Sequence, residues 1–141
     1  MFLRYAHSPS CLPGWAIGVQ LVVETTVGSQ DEQIKEAFVY TKALTTDAYV
    51  KAGELGSVVS TNITPAEMTQ EDLAEFSRTI AKVSISPGTY PWASMDGALS
   101  SLAVDAGDTS MTAEWNTEHS ESWKGLNELH SMLELFYKTY N

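Results

Sequence analysis

The chain has 141 residues, with 8 Lys and Arg against 18 Asp and Glu, so its formal net charge at pH 7 is −10. This acidity argues against a surface that binds nucleic acid, because affinity for phosphates comes from Lys and Arg. Hydrophobic residues make up 43% of the chain, which excludes a disordered composition, and the length suits one domain spanning residues 1–141.

The N-terminal segment is expected to be irregular and to carry no targeting signal. Residues 1–14 contain two prolines and a glycine and show no periodicity, which indicates an irregular lead-in. Arg4, His7 and Pro9 interrupt the apolar run that a secretory signal needs, and no stretch approaches the roughly 20 apolar residues that span a bilayer. Since the single cysteine, Cys11, fits a reducing compartment, we expect a cytoplasmic protein without membrane contact.

The segment that begins at Trp15 has the periodicity of a strand. Apolar residues fall on one parity and mostly small or polar residues on the other, which is typical of a half-buried strand. Residues 28–31 then supply a turn. The residues that carry the pattern are Ile17, Val19, Leu21, Val23 and Val27.

The segment after this turn admits two interpretations. Phe38–Thr41 consists of residues that favour strands, which predicts a second antiparallel strand over 34–44, joined to the first by a hairpin. Ser29 and Glu32 match a capping box, which would start a helix through the same segment. We prefer the strand, and the pattern in residues 45–63 does not decide between helix and loop.

The strongest helix signal lies between residues 64 and 83. A threonine cap, a proline at the first helical position and a glutamate at the third occupy residues 64–67. A similar capping pattern recurs over residues 69–72, so both starting points stay open. An apolar stripe at helical spacing follows, formed by Leu73, Phe76, Ile80 and Val83.

The last third of the chain predicts a hairpin and a long helix. Two alternating runs, at 102–104 and 111–115, flank a glycine-containing link at 106–108, which indicates a β-hairpin. Ser120 is the expected cap of the final helix. Its wide apolar stripe comprises Trp123, Leu126, Leu129, Leu133, Phe136, Tyr137 and Tyr140.

These elements together predict a single α+β domain. We expect an antiparallel sheet built from two hairpins, with two main helices packed on one face. Strands and helices do not alternate, so a doubly wound nucleotide-binding sheet is not expected.

The sequence offers no motif that specifies an enzyme. It has neither a P-loop nor the G-x-S-x-G turn of serine hydrolases. His130 lies on the apolar stripe of the last helix, where it either packs in the core or lines a pocket. His130 and Glu134 are one helical turn apart, but a zinc site normally needs three or four converging ligands. We therefore predict no catalytic residue, no cofactor and no metal site.

The loop between residues 84 and 97 is the predicted interaction site. Tyr90 and Trp92 flank a proline there, and Asp96 follows. Large aromatic side chains in a loop either pack down onto the domain or meet a partner, and they are enriched in the centres of protein interfaces.

Three functional hypotheses follow. The first is a non-enzymatic acidic binding or inhibitor protein, of the general kind found among immunity proteins, antitoxins and phage antagonists, whose protein partner presents a basic surface. The alternative is a small-ligand-binding protein or small enzyme with a pocket between the sheet and the C-terminal helix, drawing on Trp115, Trp123, His130 and Tyr137. The third is a subunit whose strand edge or last helix is completed by self-association into a homo-oligomer.

Overall fold

In the residues that it describes, the computed structural model of the chain contains six strands and two helices. It describes residues 1–9, 12–25, 28, 32–44, 65–85, 99–116 and 123–141. The α+β class agrees with the prediction. In chain order the elements are β1 (Phe2–Ser8), β2 (Trp15–Thr25), β3 (Glu32–Ala43), β4 (Ala66–Glu67), α1 (Gln70–Ala81), β5 (Leu99–Ala106), β6 (Thr109–Asn116) and α2 (Leu126–Tyr140).

All the strands form one antiparallel sheet in the order β4-β3-β2-β1-β5-β6. β2 pairs with β3 and β5 pairs with β6, and the β5–β6 turn contains Gly107 with a φ of +62°. A sheet of two hairpins is nevertheless an incomplete description, because β1 lies between β2 and β5 and β4 extends the sheet beyond β3.

The predicted irregular lead-in is wrong for Phe2–Ser8, which form the central strand β1. Tyr5 is opposite Ile17 of β2 on one side and Leu102 of β5 on the other. Arg4 and His7 interrupt the apolar pattern of this strand and so conceal it in the sequence. Arg4 is accommodated by an ion pair with Asp105 of the neighbouring strand β5.

α1 begins at the second of the two predicted starts. Thr69 is the N-cap, and its hydroxyl accepts a hydrogen bond from the backbone N–H of Asp72 at 3.2 Å. Ala66–Glu67 instead pair with β3 as the short strand β4. The predicted stripe faces inward: Leu73 and Phe76 are buried, and Ile80 and Val83 pack partly buried against the core.

The final helix begins later than predicted. α2 starts at Leu126, so a start capped by Ser120 is wrong, and Ser120 itself lies outside the described residues. Gly125 is the N-cap with a φ of +81°, a conformation that glycine adopts at little cost. Lys124 exchanges backbone hydrogen bonds of 2.8 and 2.9 Å with Ser84, so this segment pairs as a β-bridge instead of continuing the helix.

The main core cluster combines both helices with one set of alternating strand residues. Odd-numbered side chains of β1, β2 and β3 share this cluster with Leu102 of β5, Trp115 of β6 and the apolar stripes of the helices. Ala6, Ala16 and Ala103 are buried on the opposite parity, in a second cluster. Within the described part of the chain, no helix is long and apolar enough to cross a membrane.

Candidate functional site

A row of hydrogen-bonded polar side chains connects β1, β5 and α2. We call it the polar chain, and it consists of His7, Ser100, Tyr5, His130 and Glu134. His7 Nδ1 lies 3.1 Å from Ser100 Oγ, and the Tyr5 hydroxyl lies 3.0 Å from the same oxygen. Tyr5 Oη lies 2.6 Å from His130 Nδ1. His130 Nε2 then lies 3.2 Å from a carboxylate oxygen of Glu134.

The regular elements fix the order of these groups. Tyr5 and His7 are two residues apart on β1, so both side chains point to the same face of the sheet. Ser100 is directly opposite His7 in the β1–β5 pairing. His130 and Glu134 are one turn apart on α2, so they occupy one side of the helix.

Aromatic rings surround the polar chain. The rings of His7 and His130 are in contact, with centroids 4.6 Å apart. Trp15 of β2 lies 5.7 Å from the His130 ring and stacks on Tyr137 with an interplanar angle of 24°. Trp115 of β6 lies 6.0 Å from the Tyr5 ring. The surrounding rings therefore separate much of the chain from water and strengthen its hydrogen bonds.

Burial keeps Tyr5 and His7 neutral at pH 7. Tyr5 is 0% exposed, and burial raises the pKa of its hydroxyl far above the usual value, although the hydrogen bond with Ser100 opposes the rise. Burial, with a smaller contribution from His130, lowers the pKa of His7 to about 4, against an opposing effect of Glu134. Both groups therefore act as neutral hydrogen-bonding partners.

The other end of the polar chain is anionic. Lys138 donates a hydrogen bond to Glu134 at 3.1 Å, and this contact, assisted by His130, lowers the pKa of the Glu134 carboxyl although burial opposes it. The side chains of His130 and Glu134 are 29% and 39% exposed. A proton on His130 thus has a carboxylate partner close to solvent.

A second feature, an apolar cavity of about 240 Å³, lies beside the polar chain. Leu3, Leu102 and Leu129 form part of its wall, and the same three elements carry Tyr5, Ser100 and His130 of the polar chain. Of the described residues that line the cavity, Thr109 supplies the only polar side chain. The others are Met1, Leu3, Ile80, Val83, Ile85, Leu102, Val104, Ala106, Met111 and Leu129.

The predicted interaction residues Tyr90, Trp92 and Asp96 lie outside the described residues, so that hypothesis stays a prediction. The structure does place the residues named for the alternative hypothesis near one another. His130 hydrogen-bonds to Tyr5, and Trp115 contacts Tyr5 on one side and Trp123 on the other. Tyr137 joins the group through Trp15, on which it stacks.

Sequence analysis missed the contribution of β1 to this site. Tyr5 and His7 lie in the segment that is predicted to be irregular, and Ser100 belongs to no motif. Leu3 and Tyr5 alternate on one parity, which is a strand signal, but the polar His7 at the next position of that series obscures it.

Among the described part of the chain, no three His, Cys, Asp or Glu side chains are grouped so that they could hold a metal ion. No protein-family model matches the chain, and neither a curated protein nor a solved structure is significantly similar to it.

Proposed function

We propose that the protein binds a small, largely apolar molecule in the cavity between the sheet and the two helices. The observation that carries the proposal is the size and lining of the cavity: about 240 Å³ with walls that are almost entirely apolar. Ligand sites of small molecules are typically concave and mostly apolar.

The volume limits the class of ligand. An apolar cavity of about 150 Å³ is large enough for benzene. The cavity here, at about 240 Å³, therefore suits a substituted benzene or a short aliphatic chain. Met1 and Met111 contribute flexible thioether side chains, which adapt to ligands of different shape. Thr109 is available for one hydrogen bond to a polar end of the ligand.

A thermal-shift series tests this proposal. We expect alkylbenzenes and short n-alkanols to raise the melting temperature of the wild type, because a ligand that binds only the folded state stabilises it by mass action. Val104→Phe should fill part of the cavity and abolish the shift. Val22→Phe is the matched control, since Val22 is a strand valine with 36% exposure that does not line the cavity.

Two outcomes would contradict the proposal. One is a series in which no compound stabilises the wild type. The other is an equal shift in the wild type, Val104→Phe and Val22→Phe, because binding would then take place elsewhere on the surface.

We also propose, as a second function, charge-complementary binding to a protein with a basic surface. The net charge of −10 supports it. The association rate with a partner captured from extract should then fall steeply as salt increases. If Trp92 anchors the interface, Trp92→Ala should accelerate dissociation by an amount worth about 2 kcal/mol. An association rate indifferent to salt would rule this function out.

A further inference from the structure

An open groove adjoins the apolar cavity at one end of the sheet. Its volume is about 450 Å³, and it is lined by Met1, Leu21, Val23, Ile34, Ala106 and Gly107. Met1 and Ala106 line the cavity as well. The side chains of these two residues therefore form a boundary that the cavity and the groove share.

The strand pairing places Met1 between the cavity and the groove. The backbone carbonyl of Met1 accepts a hydrogen bond of 2.9 Å from the N–H of Leu21, which holds Met1 beside β2. On the other side, Phe2 is opposite Asp105, so Met1 comes next to Ala106 of β5. Met1 and Leu21 both pack against the main core cluster, so the boundary lies on the face of the sheet that the helices cover.

A β-bulge in β3 brings Ile34 into the groove. Leu21 is opposite Ala37, but Val23 is opposite Ile34, so β3 contains one residue more than β2 over this span. In a regular strand Ile34 and Ala37 would face opposite sides of the sheet. The extra residue turns Ile34 to the same side as Val23, where both line the groove.

The groove leaves large apolar side chains open to water. Val23 is 37% exposed and Ile34 is 41% exposed, and the two are directly opposite each other. None of the described residues that line the groove has a charged side chain. An exposed apolar strip that continues into an apolar cavity is typical of a ligand-binding groove.

The volumes set the length of hydrocarbon chain that fits. An apolar cavity of about 150 Å³ holds benzene. In proportion, the cavity of about 240 Å³ holds a chain of about ten carbon atoms. A longer chain has to leave the cavity, and the groove offers it an apolar path past Met1.

We propose that the cavity and the groove together bind one long hydrocarbon chain, as in a long-chain alcohol or an acyl lipid. This inference rests on the proposed function and names its class of ligand. The end of the chain fills the cavity, and the flexible side chain of Met1 turns aside to let the chain pass. The rest of the chain covers Val23 and Ile34, and the polar head group stays in solvent at the open end of the groove.

A linear ligand suits this arrangement better than the other possible occupants. A compact ring would fill the cavity and leave Val23 and Ile34 exposed. A second copy of this chain would bring together two molecules that each carry a net charge of −10, and their repulsion opposes such a dimer.

A chain-length series tests the inference in the full-length protein. Isothermal titration calorimetry gives the dissociation constants of n-hexanol, n-octanol, n-decanol and n-dodecanol. Each fully buried CH₂ group contributes about 0.8 kcal/mol, which is about fourfold in affinity. We expect about this factor per carbon within the cavity. In the half-open groove we expect about twofold per carbon, and hence about fourfold from n-decanol to n-dodecanol.

Variants in the groove separate its contribution from that of the cavity. Val23→Ser and Ile34→Ser should each weaken the binding of n-dodecanol and leave that of n-octanol unchanged, because neither residue lines the cavity. Val22→Ser is the matched control and should bind both alcohols like the wild type. Val22 precedes Val23 on β2, is 36% exposed and lines neither the cavity nor the groove.

The possible failures have different signatures. Equal affinities of the wild type for n-decanol and n-dodecanol would overturn the inference, while binding of the shorter alcohols would still support the proposed function. A gain for n-dodecanol that Val23→Ser and Ile34→Ser both retain would also refute the inference, since the longer chain would then lie elsewhere. If no alcohol binds to the wild type, the proposed function fails and this inference fails with it.

Discussion

Leu133→Ala tests the packing of α2 against the sheet. Leu133 is 0% exposed and belongs to the main core cluster. Its replacement removes three carbon atoms from the helix–sheet interface, and the rigid strands on the other side can close the space only partly. We expect a loss of about 2–5 kcal/mol in the free energy of unfolding, the sum of the lost transfer energy and the cavity. Urea denaturation followed by tryptophan fluorescence measures this loss.

Leu135→Ala provides the matched control on the same helix. Leu135 is 61% exposed, so the same chemical change should alter the free energy of unfolding by less than about 0.5 kcal/mol. The difference between the two variants depends only on which face of α2 is buried. Equal losses in both, or a larger loss for Leu135→Ala, would show that α2 packs in a different orientation and would refute the assignment of the core.

Three further predictions concern pH and backbone conformation. Burial and His130 lower the pKa of His7 from 6.5 to about 4, so the unfolded chain binds a proton that the folded site does not, and stability should fall as the pH drops from 6.5 to 4. That shift corresponds to about 3 kcal/mol, which solvent screening of the half-buried ring reduces to about 1–2 kcal/mol. Urea unfolding of the wild type and of His7→Gln at both pH values measures this loss. The same loss in both proteins would contradict the prediction. Burial raises the pKa of Tyr5. The free energy of unfolding should therefore keep its full value below the ordinary tyrosine pKa of about 10 and fall above it. Tyr5→Phe should lose less free energy of unfolding over the same alkaline range. Gly125→Ala should cost more than Gly107→Ala by thermal denaturation, since both have positive φ but only at Gly125 would a Cβ come within 2.7 Å of a backbone oxygen, that of Lys82.

The elements predicted correctly are those whose signals are local. α1 was predictable because its cap at Thr69 and its stripe of Leu73 and Phe76 lie within twelve residues of chain. The alternation in β5 and β6 was predictable for the same reason, since their antiparallel pairing turns on the short link at Gly107.

The errors occur where long-range contacts override local preference. β1 contains Arg4 and His7, and only the pairing with β2 and β5 makes this segment a strand. The start of α2 depends on the β-bridge between Lys124 and Ser84, 40 residues earlier in the chain. Helix propensity near Ser120 contains no information about such a partner.

The polar chain was unpredictable for a related reason. Tyr5 is separated by 95 residues from Ser100 and by 125 residues from His130. The sequence leaves open whether His130 packs in the core or lines a pocket, and the structure places it half-buried, with its Nδ1 atom hydrogen-bonded to Tyr5. The order of strands in the sheet, rather than any motif, brings the three together.

The apolar cavity and the polar chain use different residues of β1 and β5, so each can be tested separately. On β1, Leu3 belongs to the cavity and Tyr5 to the polar chain, and on β5 the pair is Leu102 and Ser100. The residues that line the cavity are therefore not the residues that form the hydrogen bonds of the polar chain. Filling the cavity at Val104 should therefore leave the acid sensitivity that His7 confers unchanged, and Ser100→Ala should leave the thermal shift by apolar ligands unchanged. Loss of both properties in either variant would mean that the cavity and the polar chain form a single site.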